Sequence, residues 1–350
     1  MKILYSVQAT GNGHISRAME LMPYLQQYGE VDVFLSGNNS HLNPQLPVKY
    51  RSKGVSLFYG NNGGLDYLRM WKELSLKRIW NEAKELPVEK YDIVLNDFES
   101  ITTLACRFKK MPSVGFGHQA SFQSRHTPRG NKKDIAGEVI LKQYATATDY
   151  VGLHFKQYDD FIFSPVIKQD ILQAGPTDKG HITVYLSHYS DEVVLKALHK
   201  AKDIPFEVFS KKVEQPKVSA NVTLLPISND GFTKSVTHSH GVITGAGFET
   251  PAEALYLGKK LLVLPIKGQY EQLCNAAALK DFNVVVVDTL AEDFHLKVTQ
   301  WLNASATIPL VLLHDTYQIV QMAIEKGRVL QKNTSFNDQL LSEEDLLAMY

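Results

Sequence analysis

The 350-residue chain has only two cysteines and no excess of either charge. Cys106 and Cys274 stand far apart, and neither belongs to a C-x-x-C pair or a metal-ligand spacing, so we expect two buried free thiols. Lysine and arginine together number 37, as do aspartate and glutamate, which leaves a formal net charge of zero. The bulk positive charge that is typical of nucleic-acid-binding proteins is therefore missing, and we expect no nucleic-acid partner.

Long apolar runs are missing as well. A helix that spans a membrane would need about 18 consecutive apolar residues, and the sequence has no such run. Met1 leads directly into a short β-rich run, without the basic and apolar regions of a signal peptide. We therefore expect a cytoplasmic protein, and we expect a monomer.

Short β-rich runs alternate with amphipathic runs along most of the chain. Runs such as KILYSV and YDIVLND are typical of buried strands, and the residues between them have the apolar spacing of helices. The pattern predicts an α/β protein with two doubly wound, Rossmann-like domains that face each other across a cleft. The expected division is a first domain at 1–165, a linker at 166–180, a second domain at 181–312, and a final helix with a polar tail at 313–350. We expect this final helix to pack back toward the first domain.

The first strand-like run ends in Gly11-Asn12-Gly13-His14, just before a helical run. A P-loop would require a lysine after the glycines, which is missing. A dinucleotide fingerprint would require a carboxylate at the end of the second strand-like run, where the sequence reads Ser36-Gly37-Asn38-Asn39 instead. A histidine at a helix N-terminus is favoured in its neutral form, in which it can accept a proton. His14 is thus a candidate general base, and the alternative is a histidine that only forms hydrogen bonds within the loop.

A second motif follows a strand in the second half of the chain. The glycines of Gly245-Ala246-Gly247 expose backbone N–H groups next to a helix start, which suits a diphosphate. Glu253 in that helix is suited to bind ribose hydroxyls. However, Thr250-Pro251-Ala252-Glu253 also has the pattern of a capping box, in which Glu253 would bind the helix terminus instead. The residue types alone leave both interpretations open.

The run from Leu224 to Phe282 resembles the donor-binding half of the two-domain UDP-glycosyltransferases of the GT-B fold. It is most similar to a small bacterial and archaeal group, and more distantly to the N-acetylglucosaminyltransferase that makes lipid II. The start of the chain matches the same group in a G-x-G-H-x-x-R-A pattern formed by Gly11, Gly13, His14, Arg17 and Ala18. The residues that the resemblance assigns to the donor are Gly13, Gly245, Ala246, Gly247, Phe248, Thr250, Glu253, Glu271 and Gln272.

The resemblance also implies roles for polar residues in the first domain. Asp97, the last residue of the run VLND, would orient the catalytic His14 as the aspartate of a hydrolase triad does; an ordinary helix cap is the alternative. Glu99 and His118 are candidates for the acceptor side. His238 and His240 have no third ligand nearby, so we expect no metal site, and we expect no cofactor.

These observations predict a metal-independent glycosyltransferase. It would move a sugar from a nucleotide-diphosphate donor, expected to be a UDP-sugar, to the hydroxyl of an unidentified glycan, lipid or small molecule, with inversion. The alternatives are a UDP-sugar 2-epimerase of the same fold and a protein that binds nucleotide sugars without catalysis.

The segment from Leu65 to Leu86 combines basic residues with tryptophans, including Lys77, Arg78 and Trp80. Such a helix is suited to peripheral contact with an anionic membrane, which would deliver a lipid-linked acceptor. A helix packed on the first domain with a solvated basic face is the alternative interpretation.

Overall fold

The computed structural model describes residues 1–9, 11–37, 46–54, 75–131 and 134–347, with side chains described as far as residue 333. Within these ranges the chain forms two sheets covered by helices, which confirms the predicted α/β class. We call each sheet with its helices a lobe. None of the helices in these ranges has the length and apolar character needed to cross a membrane.

The first sheet consists of β1 (Lys2–Gln8), β2 (Glu30–Ser36), β3 (Val48–Ser52), β4 (Ile93–Asp97), β5 (Val114–Gly117), β6 (Asp149–Leu153) and β7 (Ile162–Phe163). All strand pairs are parallel, in the order β3-β2-β1-β4-β5-β6-β7. The helices of this lobe are α1 (Asn12–Leu25), α2 (Leu76–Glu85), α3 (Ser100–Phe108) and α4 (Ile135–Gln143). Since helices cover both faces, β1 is buried at every residue after Lys2 instead of alternating between buried and exposed residues.

The second sheet consists of β8 (Ile182–Tyr185), β9 (Phe206–Ser210), β10 (Lys217–Ser219), β11 (Val222–Pro226), β12 (Gly241–Thr244), β13 (Lys260–Val263) and β14 (Val285–Val286). Its order is β10-β11-β9-β8-β12-β13-β14, and among these pairs only β10 with β11 is antiparallel. The remaining helices are α5 (Gln169–Leu172), α6 (Asp191–Leu198), α7 (Asn229–His238), α8 (Glu249–Tyr256), α9 (Tyr270–Leu279), α10 (Phe294–Asn303) and α11 (Thr316–Leu347).

The largest apolar cluster contains residues from both lobes. Alternate residues of a strand face opposite sides of its sheet, so Ile3 and Tyr5 belong to this cluster while Leu4 faces a separate one with Phe34. In the second lobe, Val242 joins the shared cluster. The two lobes are therefore held together by apolar packing as well as by polar contacts.

The connection predicted as a linker is a packed segment. Within 166–180, Val166 and Ile167 are buried in the shared cluster, and Ile171 of the short helix α5 joins them. Both cysteines are free and buried, as predicted.

The predicted membrane segment is only partly described. Residues 65–74 lie outside the described ranges. In α2, Ile79 is buried against the first lobe, whereas Trp80 is 49% exposed and makes an edge-to-face contact with Phe108. The membrane hypothesis stays a prediction.

The final helix, α11, lies against the first sheet. The apolar pattern predicts this helix only to about Leu330, but helical backbone continues to Leu347. Gly327 touches Ile93 of β4, and the Nζ atom of Lys326 lies 2.7 Å from an Asp149 carboxylate oxygen. The last helix of the chain therefore packs on the first lobe.

We expect the substitution Gly327→Val to lower the free energy of unfolding by about 1–3 kcal/mol, as overpacking does in well-packed interiors. The reason is that a Cβ at position 327 would lie 2.7 Å from the Cγ2 atom of Ile93, which is itself buried. Urea denaturation measures the change. The control is Val329→Ala in the same helix, where the side chain is 56% exposed and little change is expected. Equal stability of the two variants would contradict this packing.

Candidate active site

The site lies where the strand order of each sheet reverses. β1 stands between β2 and β4, and β8 stands between β9 and β12. Connections that follow such strands diverge to opposite faces of the sheet, which leaves a crevice at the carboxyl ends of the strands. His14 follows β1, Asp97 ends β4, and Gly245 follows β12. The fold therefore brings the two sequence motifs to one cleft.

His14, Asp97 and Arg17 form one hydrogen-bonded group. The Nδ1 atom of His14 lies 3.0 Å from Oδ1 of Asp97. The Nη2 atom of Arg17 lies 2.8 Å from each carboxylate oxygen of Asp97. Asp97 has no exposed surface, while the side chain of His14 is 14% exposed. The buried carboxylate of Asp97 therefore fixes the ring of His14 in the first-lobe motif.

The charge of Asp97 is stabilised by its neighbours. Burial by itself raises the pKa of this carboxyl, but the nearby charges of Arg17 and His14 outweigh it and lower the pKa below its usual value. Asp97 is therefore ionised at neutral pH and acts only as an acceptor. The cap position that was the alternative for Asp97 is filled by Glu99.

Arg17 also reaches the second lobe. Its Nη1 atom donates to the carboxylate of Glu249, the first residue of α8. A Cβ at position 13 would overlap the Glu249 carboxylate, which would then have to shift. Gly117 has a φ of +149°, and a Cβ there would lie 2.5 Å from Oδ1 of Asp97. Both glycines leave space for the charged groups of the cleft.

A pocket of about 530 Å³ lies between α1 and the second lobe. Its residues include Gly13 and Thr250 from the two motifs, together with Tyr185, Phe209, Ile227 and Phe232. Glu253 also lines it, and both of its carboxylate oxygens lie near Nζ of Lys168, at 3.2 and 3.4 Å. This Lys168 contact opposes the effect of burial, which raises the pKa of Glu253.

The capping-box interpretation of Glu253 is wrong. Helix α8 begins at Glu249, two residues before Pro251, and its cap residue Phe248 makes no side-chain capping bond. Glu253 therefore lies in the second turn, too far along the helix to reach back to its start. Its carboxylate is directed to Lys168 and the pocket instead.

His188 is a polar residue of this region that the sequence analysis missed. It follows β8 and is 94% buried, and its Cε1 atom would lie 3.8 Å from a Cβ built on Gly245. Its Nε2 atom has no hydrogen-bond partner among the described residues. Burial lowers the pKa of His188 to about 4, so the ring is neutral at neutral pH. A buried neutral donor or acceptor is thus present beside the glycine motif.

Two residues assigned to the donor serve the packing of the motif itself. The Oε1 atom of Gln272 accepts from the N–H groups of Ala246 and Ile266, at 3.1 and 3.0 Å. The N–H group of Ala246 is therefore already used, and Ala246 has no exposed surface. Among the described residues, no atom lies within 4 Å of a Cβ built on Gly247, so this glycine is open. The direct donor contact expected of Ala246 is wrong in this arrangement.

Phe248 and His118 form a contact between the lobes. Their rings stack with centroids 3.9 Å apart and an angle of 7°. The Nδ1 and Nε2 atoms of His118 face the carbonyl oxygen of Leu153 at 3.0 Å and Oδ1 of Asn275 at 2.8 Å. Both rings are buried in this contact. The donor contact expected of Phe248 and the acceptor-side role expected of His118 stay predictions, and their stacking could not be read from either motif alone.

Glu99 was expected on the acceptor side, and it is a helix cap instead. Its carboxylate accepts from the N–H groups of Ile101 and Thr102, and it has no exposed surface. Glu271 keeps a place at the cleft: its side chain is 18% exposed, and its Oε2 atom accepts from Nε2 of Gln119 at 3.1 Å. In the described part of the chain, no three His, Cys, Asp or Glu side chains are grouped as a metal site.

The sequence analysis also gave no role to Arg17, Glu249, Gln119 or Lys168. For Arg17 a signal was present, since it lies one helical turn after His14 and so shares its helix face. The other three are brought to the cleft by the packing of the lobes, which leaves no periodic trace in the sequence.

Comparison with known proteins agrees with this geometry. Residues 1–304 match the model of the family described as glycosyl transferase family 1. A protein of Methanosarcina mazei, named an uncharacterized glycosyltransferase, is 25% identical over 319 residues, which cover 80% of this chain and 84% of that protein. A relative from Methanosarcina acetivorans with the same name is 22% identical over 321 residues, with the same coverage.

Solved structures share the architecture. UGT71G1 of Medicago truncatula, determined with UDP-glucose, superimposes with a TM-score of 0.58 at 10% identity, over 93% of this chain and 98% of that one. UGT89C1 of Arabidopsis thaliana, determined with UDP, gives 0.56 at 12% identity over 98% of both chains. The spinosyn forosaminyltransferase SpnP gives 0.57 at 14% identity, over 93% and 99%. The fold is therefore GT-B, and the chain belongs to glycosyl transferase family 1.

Proposed function

We propose that this glycosyltransferase takes its sugar from a UDP-sugar held by the second lobe and transfers it to an acceptor hydroxyl, with His14 as the general base. The observation that carries the proposal is the position of His14. Its ring is held by the buried Asp97, keeps 14% of its surface exposed, and lies beside Arg17, which binds Glu249 at the start of α8. A base and an anion-binding helix terminus on opposite sides of a cleft are what a displacement at an anomeric carbon needs.

The pocket between the lobes is suited to a nucleoside. Tyr185, Phe209 and Phe232 provide aromatic surface for a base, and the buried Glu253 provides a carboxylate for ribose hydroxyls. The ribose would then replace or share the contact that Lys168 now makes with Glu253. Two solved proteins of the same fold contain UDP or UDP-glucose, which supports a uridine nucleotide here.

The diphosphate would lie beside Gly245 and Gly247. Helix α8 begins there without a side-chain cap, so its first N–H groups can face an anion. In the tautomer with its proton on Nε2, the neutral ring of His188 adds a donor that is already desolvated. Together these groups would stabilise the negative charge that develops on the leaving diphosphate.

The reaction then takes place in one displacement. The acceptor O–H gives its proton to Nε2 of His14 while its oxygen forms a bond to the anomeric carbon. The bond from that carbon to the diphosphate oxygen breaks, and UDP leaves with the electron pair. Because the acceptor attacks from the face opposite the leaving group, the configuration at the anomeric carbon is inverted.

Among UDP, GDP, CDP and ADP, we expect UDP to raise the melting temperature most. A ligand that binds only the folded state stabilises it in proportion to RT ln(1 + [L]/Kd), about 2.7 kcal/mol at 100 times Kd. A thermal-shift panel at equal concentrations makes the comparison. A larger shift with another nucleotide would reassign the donor base, and no shift with any of them would contradict the proposed pocket.

We expect Glu253→Gln to weaken UDP binding by about 1–3 kcal/mol, because a charged acceptor for a ribose hydroxyl is lost. Calorimetric titration with UDP measures the change, and the melting temperature of the free protein is recorded in parallel. Glu253 also pairs with Lys168, so some loss of stability is compatible with the proposal. Unchanged affinity together with a lower melting temperature would show that Glu253 has only a structural role.

We expect His14→Ala to lower turnover about 10²–10⁴-fold while UDP affinity stays within a few fold, since general base catalysis typically contributes that much. Release of UDP from UDP-sugars, with and without acceptor, measures turnover. The matched control is His126→Ala, a first-lobe histidine whose side chain is 75% exposed and for which no change is expected. Near-normal turnover of the His14→Ala variant would exclude His14 as the base.

A further inference from the structure

A general base must present a lone pair to the acceptor, and the contacts at Nδ1 of His14 do not decide which ring nitrogen has it. Oδ1 of Asp97 lies 3.0 Å from Nδ1, and a carboxylate can only accept, so this contact calls for a proton on Nδ1. Nη2 of Arg17 also lies 3.0 Å from Nδ1, and a guanidinium can only donate, so this contact calls for a lone pair. The two neighbours favour opposite tautomers.

The contact at the other ring nitrogen removes this ambiguity. Nε2 of Gln119 lies 3.4 Å from Nε2 of His14 and 3.1 Å from Oε2 of Glu271. The carboxylate of Glu271 fixes the orientation of the amide, because the opposite orientation would set two acceptor oxygens against each other. With its NH₂ group at this end, Gln119 can only donate to His14. The neutral ring must therefore have its lone pair on Nε2 and its proton on Nδ1, facing Asp97.

We infer that Gln119, oriented by Glu271, is a positioning residue that holds the Nε2 atom of His14 in its proton-accepting form. The inference rests on the proposed role of His14 as the base. Gln119 begins a 3-10 helix of the first lobe and is 95% buried, whereas Glu271 belongs to α9 of the second lobe. The preferred tautomer of His14 therefore depends on how close the second lobe lies to the first. An acceptor hydroxyl that replaces Gln119 at Nε2 meets a ring already prepared to take its proton.

The experiment is nitrogen-15 NMR of the histidine side chains in the full-length protein, which needs neither donor nor acceptor. Protonated and unprotonated ring nitrogens have widely separated shifts. Measurement at about pH 8.5 lies well above the ordinary imidazole pKa of about 6.5. The chain has 12 histidines, and His14→Gln identifies the signals of His14. We expect the wild-type ring to be protonated mainly on Nδ1.

Two variants then test the coupling. In Gln119→Leu, which removes the donor, we expect the ratio of Nε2–H to Nδ1–H forms to rise about three- to tenfold, as loss of one hydrogen bond allows. Glu271→Ala leaves Gln119 in place but frees its amide, and we expect a shift in the same direction. The matched control is Gln123→Leu on the same 3-10 helix, whose amide donates to the carbonyl oxygen of Lys142 instead, and there the ratio should not change.

A wild-type ring protonated on Nε2 would overturn the inference, and so would unchanged ratios in both Gln119→Leu and Glu271→Ala. If Gln119→Leu fails to fold, Glu271→Ala decides the question alone. UDP affinity and the turnover of His14→Ala are measured separately. If the tautomer does not respond but His14→Ala is inactive, the proposed function stands and this inference fails. If the tautomer responds but His14→Ala is active, the proposed base fails.

Discussion

The carboxylate of Asp97 has no exposed surface, and it makes hydrogen bonds to Arg17 and to His14. A buried charge without partners would strongly destabilise the fold, so the position of Asp97 requires both neighbours to stay in place. Arg17 is in turn bound to Glu249 of the second lobe. One buried charge thus fixes the orientation of the candidate base, the first helix and the start of α8. Removing one partner from such a group typically costs about 3–5 kcal/mol, which makes the arrangement rigid even where it adds little net stability.

Several contacts allow the two lobes to approach each other closely. Gly13 leaves room for Glu249, and the rings of His118 and Phe248 stack across the interface. A polar contact joins the lobes as well, because the amide of Gln119 in the first lobe donates to the carboxylate of Glu271 in the second. Under the proposed function, the first lobe would supply the base and the second lobe most of the nucleotide pocket, while residues from both lobes would orient the base.

The glycine motif of the second lobe is held in place by side chains that lie behind it. Gln272 uses its amide oxygen to hold the backbone at Ala246 and Ile266, and Asn275 donates to the carbonyl oxygen of Ala246 at 3.1 Å. An anion cradle works only if its N–H groups are held in place before the ligand arrives, so side chains behind the glycines are as necessary as those that face the cleft. A pattern of glycines, glutamate and glutamine identifies the motif without telling which members face the ligand.

The sequence by itself determined the two-sheet α/β class, and it predicted a site at the ends of β1 and β12 that contains His14 and Glu253. Strand and helix periodicities are local, and glycines between a strand and a helix mark the connection, so these features can be read along the chain. Only the tertiary structure decided that Phe248 packs on His118 and that Arg17 joins Asp97 to Glu249. These outcomes depend on contacts between residues 80 or more positions apart for the Arg17 pairs, and on how closely two lobes approach, which no local pattern records.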